Sequence, residues 1–202
     1  MGLSGTVWLD ETYYSIIMRN RERDENGNLL RGLSRNQICI GVATDKKHTV
    51  CIIEGYDKPS QKRSFQAFKG HIQVGSTLIH DKEKAHKKLV SELALKSVCY
   101  ASNDTKGLAD SENPLDPVNR IHCLLKMFLN AHSGFSRDDL QNYLNLYAFV
   151  INQLITLRKL KKSSKWFLKI PNHCAIVINS ANLCKFHTPY ASRNFKVIMQ
   201  IL

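Results

Sequence analysis

The sequence predicts an α/β protein in which a mixed β-sheet is flanked by helices. Strand-like and helix-like segments follow one another in the order three strands, helix, strand, helix, strand and two helices, and such a mixture places helices against a sheet. The chain has 202 residues and a hydrophobic content of 43%, which is enough to build a core between these layers.

The first three strands predict an antiparallel start to the sheet. Residues 5–14 mix Val, Trp and Leu with Thr and Tyr, a composition typical of a strand. Two further β-rich runs, over 37–44 and 48–54, are separated by a short charged turn and predict a hairpin. The charged stretch 19–35 contains the turn signal Asn-Gly and predicts a loop or a hairpin tip.

The next elements are predicted from apolar spacing and turn residues. In chain order they are a helix over 60–70, a strand over 76–80 that ends at Asp81, a helix over 83–95, a strand over 97–101, a loop over 102–117, a helix from Asn119 and a helix over 136–153.

The residues after 153 differ in character from those before. The stretch 158–165 holds five Lys and Arg residues, which is typical of an exposed basic segment. Strand-like pieces follow without a clear pattern, and the His and Cys residues between 173 and 187 match no usual zinc spacing. We therefore predict an α/β domain over 1–153 and a basic C-terminal segment over 154–202.

The charge of the chain predicts a polyanionic partner. Lys and Arg outnumber Asp and Glu by 29 to 17, a net charge of +12, which favours nucleic acid first and an anionic membrane surface second. No stretch has the length of a transmembrane helix, and the start of the sequence does not match a signal peptide. The six scattered cysteines indicate a reducing compartment.

Four polar residues stand where they could form a metal site. Asp10 interrupts an apolar strand, where a carboxylate is costly unless it is solvated or holds a metal. Asp81 ends a strand, and Asn119 and Lys126 are seven residues apart, so they share one face of a helix. Carboxylate and amide oxygens suit Mg²⁺, and two such ions support phosphoryl transfer.

Simpler roles remain open for these residues. Asp81 and Asn119 could each cap a helix, and Lys126 could be an ordinary solvated lysine. Glu11, beside Asp10, is expected to point away from the site because neighbours on a strand face opposite sides. His122 could lie near the site or simply belong to the helix surface or core.

Three sequence blocks resemble bacterial insertion-sequence DDE transposases, and the resemblance covers about residues 5–152. The blocks are Trp-Leu-Asp-Glu-Thr-Tyr-Tyr at 8–14, Leu-Ile-His-Asp at 78–81 and Val-Asn-Arg-Ile-His-Cys-Leu-Leu-Lys at 118–126. They are similar to the branch of the family whose third acidic position is Glu or Asn, followed seven residues later by Lys.

The resemblance implies an RNase H-like fold and DNA strand cleavage and joining with Mg²⁺ or Mn²⁺. It implies metal ligation by Asp10, Asp81 and Asn119, with Lys126 as the accompanying basic residue. The implied partners are DNA, as transposon ends and target, and further copies of the chain in a homo-oligomer on DNA. The implied location is the bacterial cytoplasm, at the nucleoid, without a membrane.

Two alternatives to an active transposase remain open on the sequence. Members of the family usually carry a DNA-binding region before the catalytic core, whereas this sequence starts just before the first predicted strand. The chain could therefore be a truncated, inactive DNA-binding remnant. It could also be a metal-dependent nuclease on the same fold, which cleaves DNA and never joins ends.

Overall fold

A five-stranded mixed sheet forms the centre of the protein. The computed structural model describes residues 2–16, 20–30, 34–81, 84–132, 136–161, 176–177 and 185–186. The sheet has the order β3-β2-β1-β4-β5, and its strands are β1 (Thr6–Ser15), β2 (Gln37–Thr44), β3 (Thr49–Tyr56), β4 (Thr77–Asp81) and β5 (Lys96–Tyr100). β1 pairs antiparallel with β2 and parallel with β4, so the predicted hairpin and the predicted mixed sheet are both confirmed.

Five α-helices accompany the sheet in the part of the chain that the structure describes. They are α1 (Gln61–Phe68), α2 (Lys87–Glu92), α3 (Ser102–Thr105), α4 (Asp116–Ala131) and α5 (Leu140–Lys161). Two short strands, β6 (Ile176–Val177) and β7 (Lys185–Phe186), pair with each other. The other residues after Lys161, including the His and Cys residues considered for zinc, lie outside the described part of the chain.

Helix ends differ from the sequence prediction for identifiable reasons. α2 is shorter than predicted because Lys84–His86 form a 3-10 turn before it and Ala94, just after it, has a left-handed φ of 48°. α4 begins at Asp116, three residues before Asn119, because Pro117 fits the first turn of a helix, where its missing N–H costs nothing. α3 lies inside the stretch predicted as a loop.

α5 is longer than the predicted helix. It continues to Lys161 and so crosses residue 153, at which the sequence was divided. The apolar spacing that predicted this helix matches its packing, since Leu140, Leu144, Tyr147 and Ile151 are buried and Tyr143 packs partly buried against them. The division of the chain at residue 153 stays a prediction.

The sheet separates two hydrophobic cores because side chains alternate along each strand. Trp8 of β1 packs in one core with residues of α4 and α5, whereas Val7 and Leu9 pack in the other core with residues of α1 and α2. Two hydrogen bonds of 2.9 Å anchor the first side: Trp8 donates to the Pro114 carbonyl, and Tyr147 donates to the Ile121 carbonyl. α4 is thereby fixed across the face of β1 that carries Asp10.

Within the described ranges, no helix combines the length and the apolar character needed to cross a membrane. Four cysteines are described, and all are free thiols. Cys39 and Cys51 are buried as core residues, whereas Cys99 and Cys123 are exposed.

Candidate metal centre

Asp10 and Asp81 come together where β4 ends. The last residue pair of the parallel β1–β4 ladder is Leu9 with His80, so the two aspartates are the next residue along each strand. One carboxylate oxygen of each lies within 4.8 Å of the other. The structure therefore brings together two residues that are 71 positions apart in the sequence.

Asp10 holds its proton unusually tightly. Burial first, and then the carboxylates of Glu11 and Asp81, raise its pKa from 3.8 to about 7. A carboxylate that is crowded by like charges in a partly buried site needs a cation or a proton to neutralise it. The surroundings of Asp10 therefore favour a bound cation.

His122 connects α4 to this pair of aspartates. Its Nδ1 lies 3.7 Å from an Asp10 carboxylate oxygen, and its side chain is buried. Burial, followed by the charge of Lys126, lowers the pKa of His122 to about 4, so the ring is neutral. Its Nε2 has no hydrogen-bond partner among the described residues.

Asn119 and Lys126 flank His122 on the same side of α4. Asn119 is three residues before His122 and Lys126 is four residues after it, so the three side chains share one helix face. Both Asn119 and Lys126 are exposed. His122 joins this helix face to Asp10. Asn119 lies about one turn before His122 and Lys126 about one turn after it.

Glu11 lies closer to the aspartates than the sequence predicts. It was expected to point away from the site, and its side chain does lie on the opposite face of β1 from Asp10. However, one of its carboxylate oxygens is within 4.8 Å of ligand oxygens of both Asp10 and Asp81. The reason is that the β1–β4 ladder ends just before this point, so on the β4 side of β1 no strand pairing separates the two faces.

A chain of buried hydrogen bonds holds Glu11. His86, which is fully buried, lies 2.8 Å from Glu11 through Nε2 and 3.0 Å from the Nδ1 of His80 through its own Nδ1. The Nε2 of His80 lies 2.9 Å from the hydroxyl of Ser97 on β5. Four side chains from β1, the 3-10 turn, β4 and β5 are linked in this way.

The protonation of these linked side chains follows from their surroundings. Although burial opposes it, the hydrogen bond to Glu11 and the nearby carboxylates keep the pKa of His86 above its usual value. Burial and His86 lower the pKa of His80 to about 4. Of the two rings, His86 is the one whose surroundings favour the protonated form. When protonated, it donates to both Glu11 and His80, and neutral His80 donates to Ser97.

Glu54 is a further buried carboxyl group on this side of the sheet. It is 5% exposed, and neither carboxyl oxygen has a hydrogen-bond partner among the described residues. Burial and then the charge of Glu11 raise its pKa to about 8, so it carries a proton at neutral pH. Gly41 allows it to fit, because a Cβ at Gly41 would lie 2.4 Å from Glu54 Oε1.

The donors at the end of β4 suit a hard divalent cation. Asp10, Asp81 and Glu11 offer carboxylate oxygens, which Mg²⁺ and Mn²⁺ prefer. Sequence reasoning found Asp10 and Asp81 because both interrupt or end strands. It missed Glu11, His80 and His86, whose only signal in the sequence is that they stand next to or near the two aspartates.

The strand order defines the class of fold. The sheet is the mixed five-stranded sheet of an RNase H-like domain, with acidic residues on its central strand and on the neighbouring parallel strand. A family model described as the ISXO2-like transposase domain matches residues 2–152. The chain belongs to this family, so the resemblance to insertion-sequence DDE transposases is confirmed.

The fold is also similar to that of a solved viral assembly. A chain of the simian T-cell lymphotropic virus intasome, determined by cryoEM in complex with PP2A regulatory subunit B56 gamma, aligns with a TM-score of 0.51 and 14% sequence identity. The alignment covers 93% of this chain and 68% of that chain. At this identity the likeness shows the fold alone. None of the curated proteins matches the sequence.

Proposed function

We propose that the chain is a transposase catalytic domain that cleaves DNA strands and joins them to target DNA. Membership of the transposase family supports a role in DNA transposition. The observation that carries the more specific proposal is the convergence of Asp10 and Asp81 at the end of β4, where one oxygen of each lies within 4.8 Å of the other.

Asp10, Asp81 and Asn119 would hold Mg²⁺ or Mn²⁺ in this proposal. Bound there, the metal would activate a water or a DNA hydroxyl and stabilise the leaving oxygen. His122, one turn from Asn119 on α4, lies 3.7 Å from an Asp10 oxygen, which supports the proposal that this helix face approaches the aspartates. Lys126, one turn along, would contact a DNA phosphate or the charge that develops during the reaction.

The partners follow from the same proposal. The net charge of +12 supports binding of the DNA backbone beyond the reacting phosphate. Pairing two transposon ends requires at least two protomers, so we expect a homo-oligomer on DNA. In a bacterial cell it would act on the nucleoid.

The first test combines metal binding with DNA nicking on the same samples. We expect Asp81→Asn to weaken Mn²⁺ binding by at least about tenfold and to abolish nicking of a supercoiled plasmid. Asp110→Asn is the matched control because Asp110 is exposed in the segment between α3 and α4. Wild-type metal affinity and nicking in Asp81→Asn would contradict the proposal.

The same assays separate the two alternatives. DNA binding by wild type without metal binding or nicking would identify an inactive remnant. Nicking without joining of pre-cut DNA ends to a target would identify a nuclease.

A further inference from the structure

We propose that Glu11 supplies a third carboxylate ligand to the metal centre, oriented by the buried His86. The inference rests on the proposed function, because it assigns a further ligand to the same cation. It also changes the charge that the protein supplies to the metal, because the third ligand implied by the family resemblance is Asn119, a neutral amide.

The geometry of Glu11 differs from that of an ordinary surface carboxylate. Its side chain is 4% exposed, so it is buried at the site instead of extending into solvent. One of its oxygens lies within 4.8 Å of ligand oxygens of Asp10 and Asp81. Small movements of these side chains would let all three carboxylates contact one cation.

His86 fixes the orientation of Glu11. The ring binds Glu11 Oε1 at 2.8 Å and is itself held at 3.0 Å by His80. His80 is held in turn at 2.9 Å by Ser97 on β5. A carboxylate has two oxygens, so a hydrogen bond to one of them leaves the second as a ligand. Partners of this kind behind a metal ligand set its direction.

The charge balance also favours a cation at this point. Asp10, Asp81 and Glu11 place three carboxyl groups with oxygens within 4.8 Å of one another. With Asn119 as the third ligand, the protein would supply only two charges to the metal. With Glu11 it supplies three, and the number of ligand charges is a main determinant of affinity for hard divalent ions.

The position of Glu11 on β1 explains how both faces of the strand can serve one ion. Asp10 lies on the α4 side of the sheet, and Glu11 lies on the side of α1 and α2. The β1–β4 ladder ends at Leu9 and His80, so no paired strand separates the two side chains next to Asp81. The cation would sit at this open end, between the two faces.

The test is calorimetric titration of Mn²⁺ into the full chain, without DNA. We expect Glu11→Gln to weaken Mn²⁺ binding by at least about tenfold, and Asn119→Ala to weaken it less than Glu11→Gln does. Gln retains an oxygen that accepts the hydrogen bond from His86. Glu92→Gln, an identical change at an exposed position of α2, should leave the affinity unchanged.

The outcomes distinguish this inference from the proposed function. Wild-type affinity in Glu11→Gln, with affinity lost in Asp81→Asn, would overturn the role of Glu11 and leave the proposed site standing. An absence of Mn²⁺ binding in wild type would overturn both. If Glu11→Gln does not fold, Glu11→Asp keeps the charge and shortens the side chain, and unchanged affinity in that variant would also refute the inference.

Discussion

The protonation of Asp10 is set by its surroundings. Its pKa of about 7 means that, without a cation, about half of the molecules carry a proton on this carboxyl at neutral pH. A metal ion binds the ionised carboxylate and must displace that proton. The affinity for metal should therefore rise with pH through neutrality.

We expect Mn²⁺ affinity to fall by about tenfold between pH 8 and pH 6, because protonated Asp10 must release its proton before the ion binds. Calorimetry at the two pH values, in buffers with different heats of ionisation, would measure both the affinity and the proton released. In Asp10→Asn the binding that remains should lose this dependence on pH. A constant affinity in wild type would show that Asp10 does not titrate in this range.

The individual site residues show where sequence reasoning works and where it stops. A charged residue inside an apolar strand is costly, and this identified Asp10 without a structure. The alternation of side chains along β1 correctly places Glu11 on the face opposite Asp10. It does not report that the β1–β4 ladder ends at Leu9 and His80, which lets a Glu11 oxygen lie within 4.8 Å of oxygens of both aspartates. Nothing in the sequence indicates that His86 would turn back to contact Glu11, 75 residues earlier.

At the scale of elements, β2 depends on one glycine. Gly41 pairs with Glu11 on β1 and with Ile52 on β3, so it lies in the middle of the sheet beneath α1. A Cβ there would lie 2.4 Å from Glu54 and 2.6 Å from the ring of Phe68. Both neighbours are buried, so neither can move away into solvent.

We expect Gly41→Ala to lower the free energy of unfolding by about 1 to 3 kcal/mol, the usual cost of overfilling a packed core. Urea denaturation followed by circular dichroism would measure it. The control is Gly70→Ala, since a Cβ at Gly70 meets nothing within 4 Å, and its effect should stay within about 0.5 kcal/mol. Equal stabilities for the two variants would contradict this account of Gly41.

The element boundaries were less predictable than the elements themselves. The first three strands and α1 follow from composition and turn signals, which act locally. The start of α4 and the end of α2 depend on the Leu115–Pro117 turn and on the left-handed Ala94. Such single-residue conformations are fixed by packing, which periodicity in the sequence does not report.

On the scale of the whole molecule, the excess of positive charge should dominate DNA affinity. Each phosphate contact contributes about −0.9 to the slope of log affinity against log salt concentration. We expect a slope steeper than about −4, which corresponds to five or more contacts. Fluorescence anisotropy with a labelled duplex, at a series of salt concentrations, would measure it, and a slope near zero would exclude backbone binding.

Substitution of Lys126 tests whether this single residue contributes to the salt dependence of DNA affinity. If it contacts a phosphate, Lys126→Gln should make the slope shallower by about 1. Lys62→Gln is a suitable comparison because Lys62 is exposed on α1, across the sheet from α4. Equal slopes in the two variants would place Lys126 outside the DNA contact surface.

The overall architecture was the most predictable level of all. The alternation of elements and the three sequence blocks led to the mixed, RNase H-like sheet that the structure contains. Chain order alone does not give the strand order, in which β1 is central between β2 and β4. That arrangement depends on contacts between distant residues, such as the bond from Trp8 to Pro114.

The central place of β1 has a consequence for protein synthesis. This strand precedes the other strands in the chain, yet it lies between β2 and β4 and carries Asp10. The ribosome must therefore complete Asp81 before the two aspartates can meet, and must complete α4 before Asn119 can approach them. Under the proposed function, a nascent chain would have no complete metal site until the helix that covers β1 has emerged, so a partly made polypeptide would not cut the DNA around it.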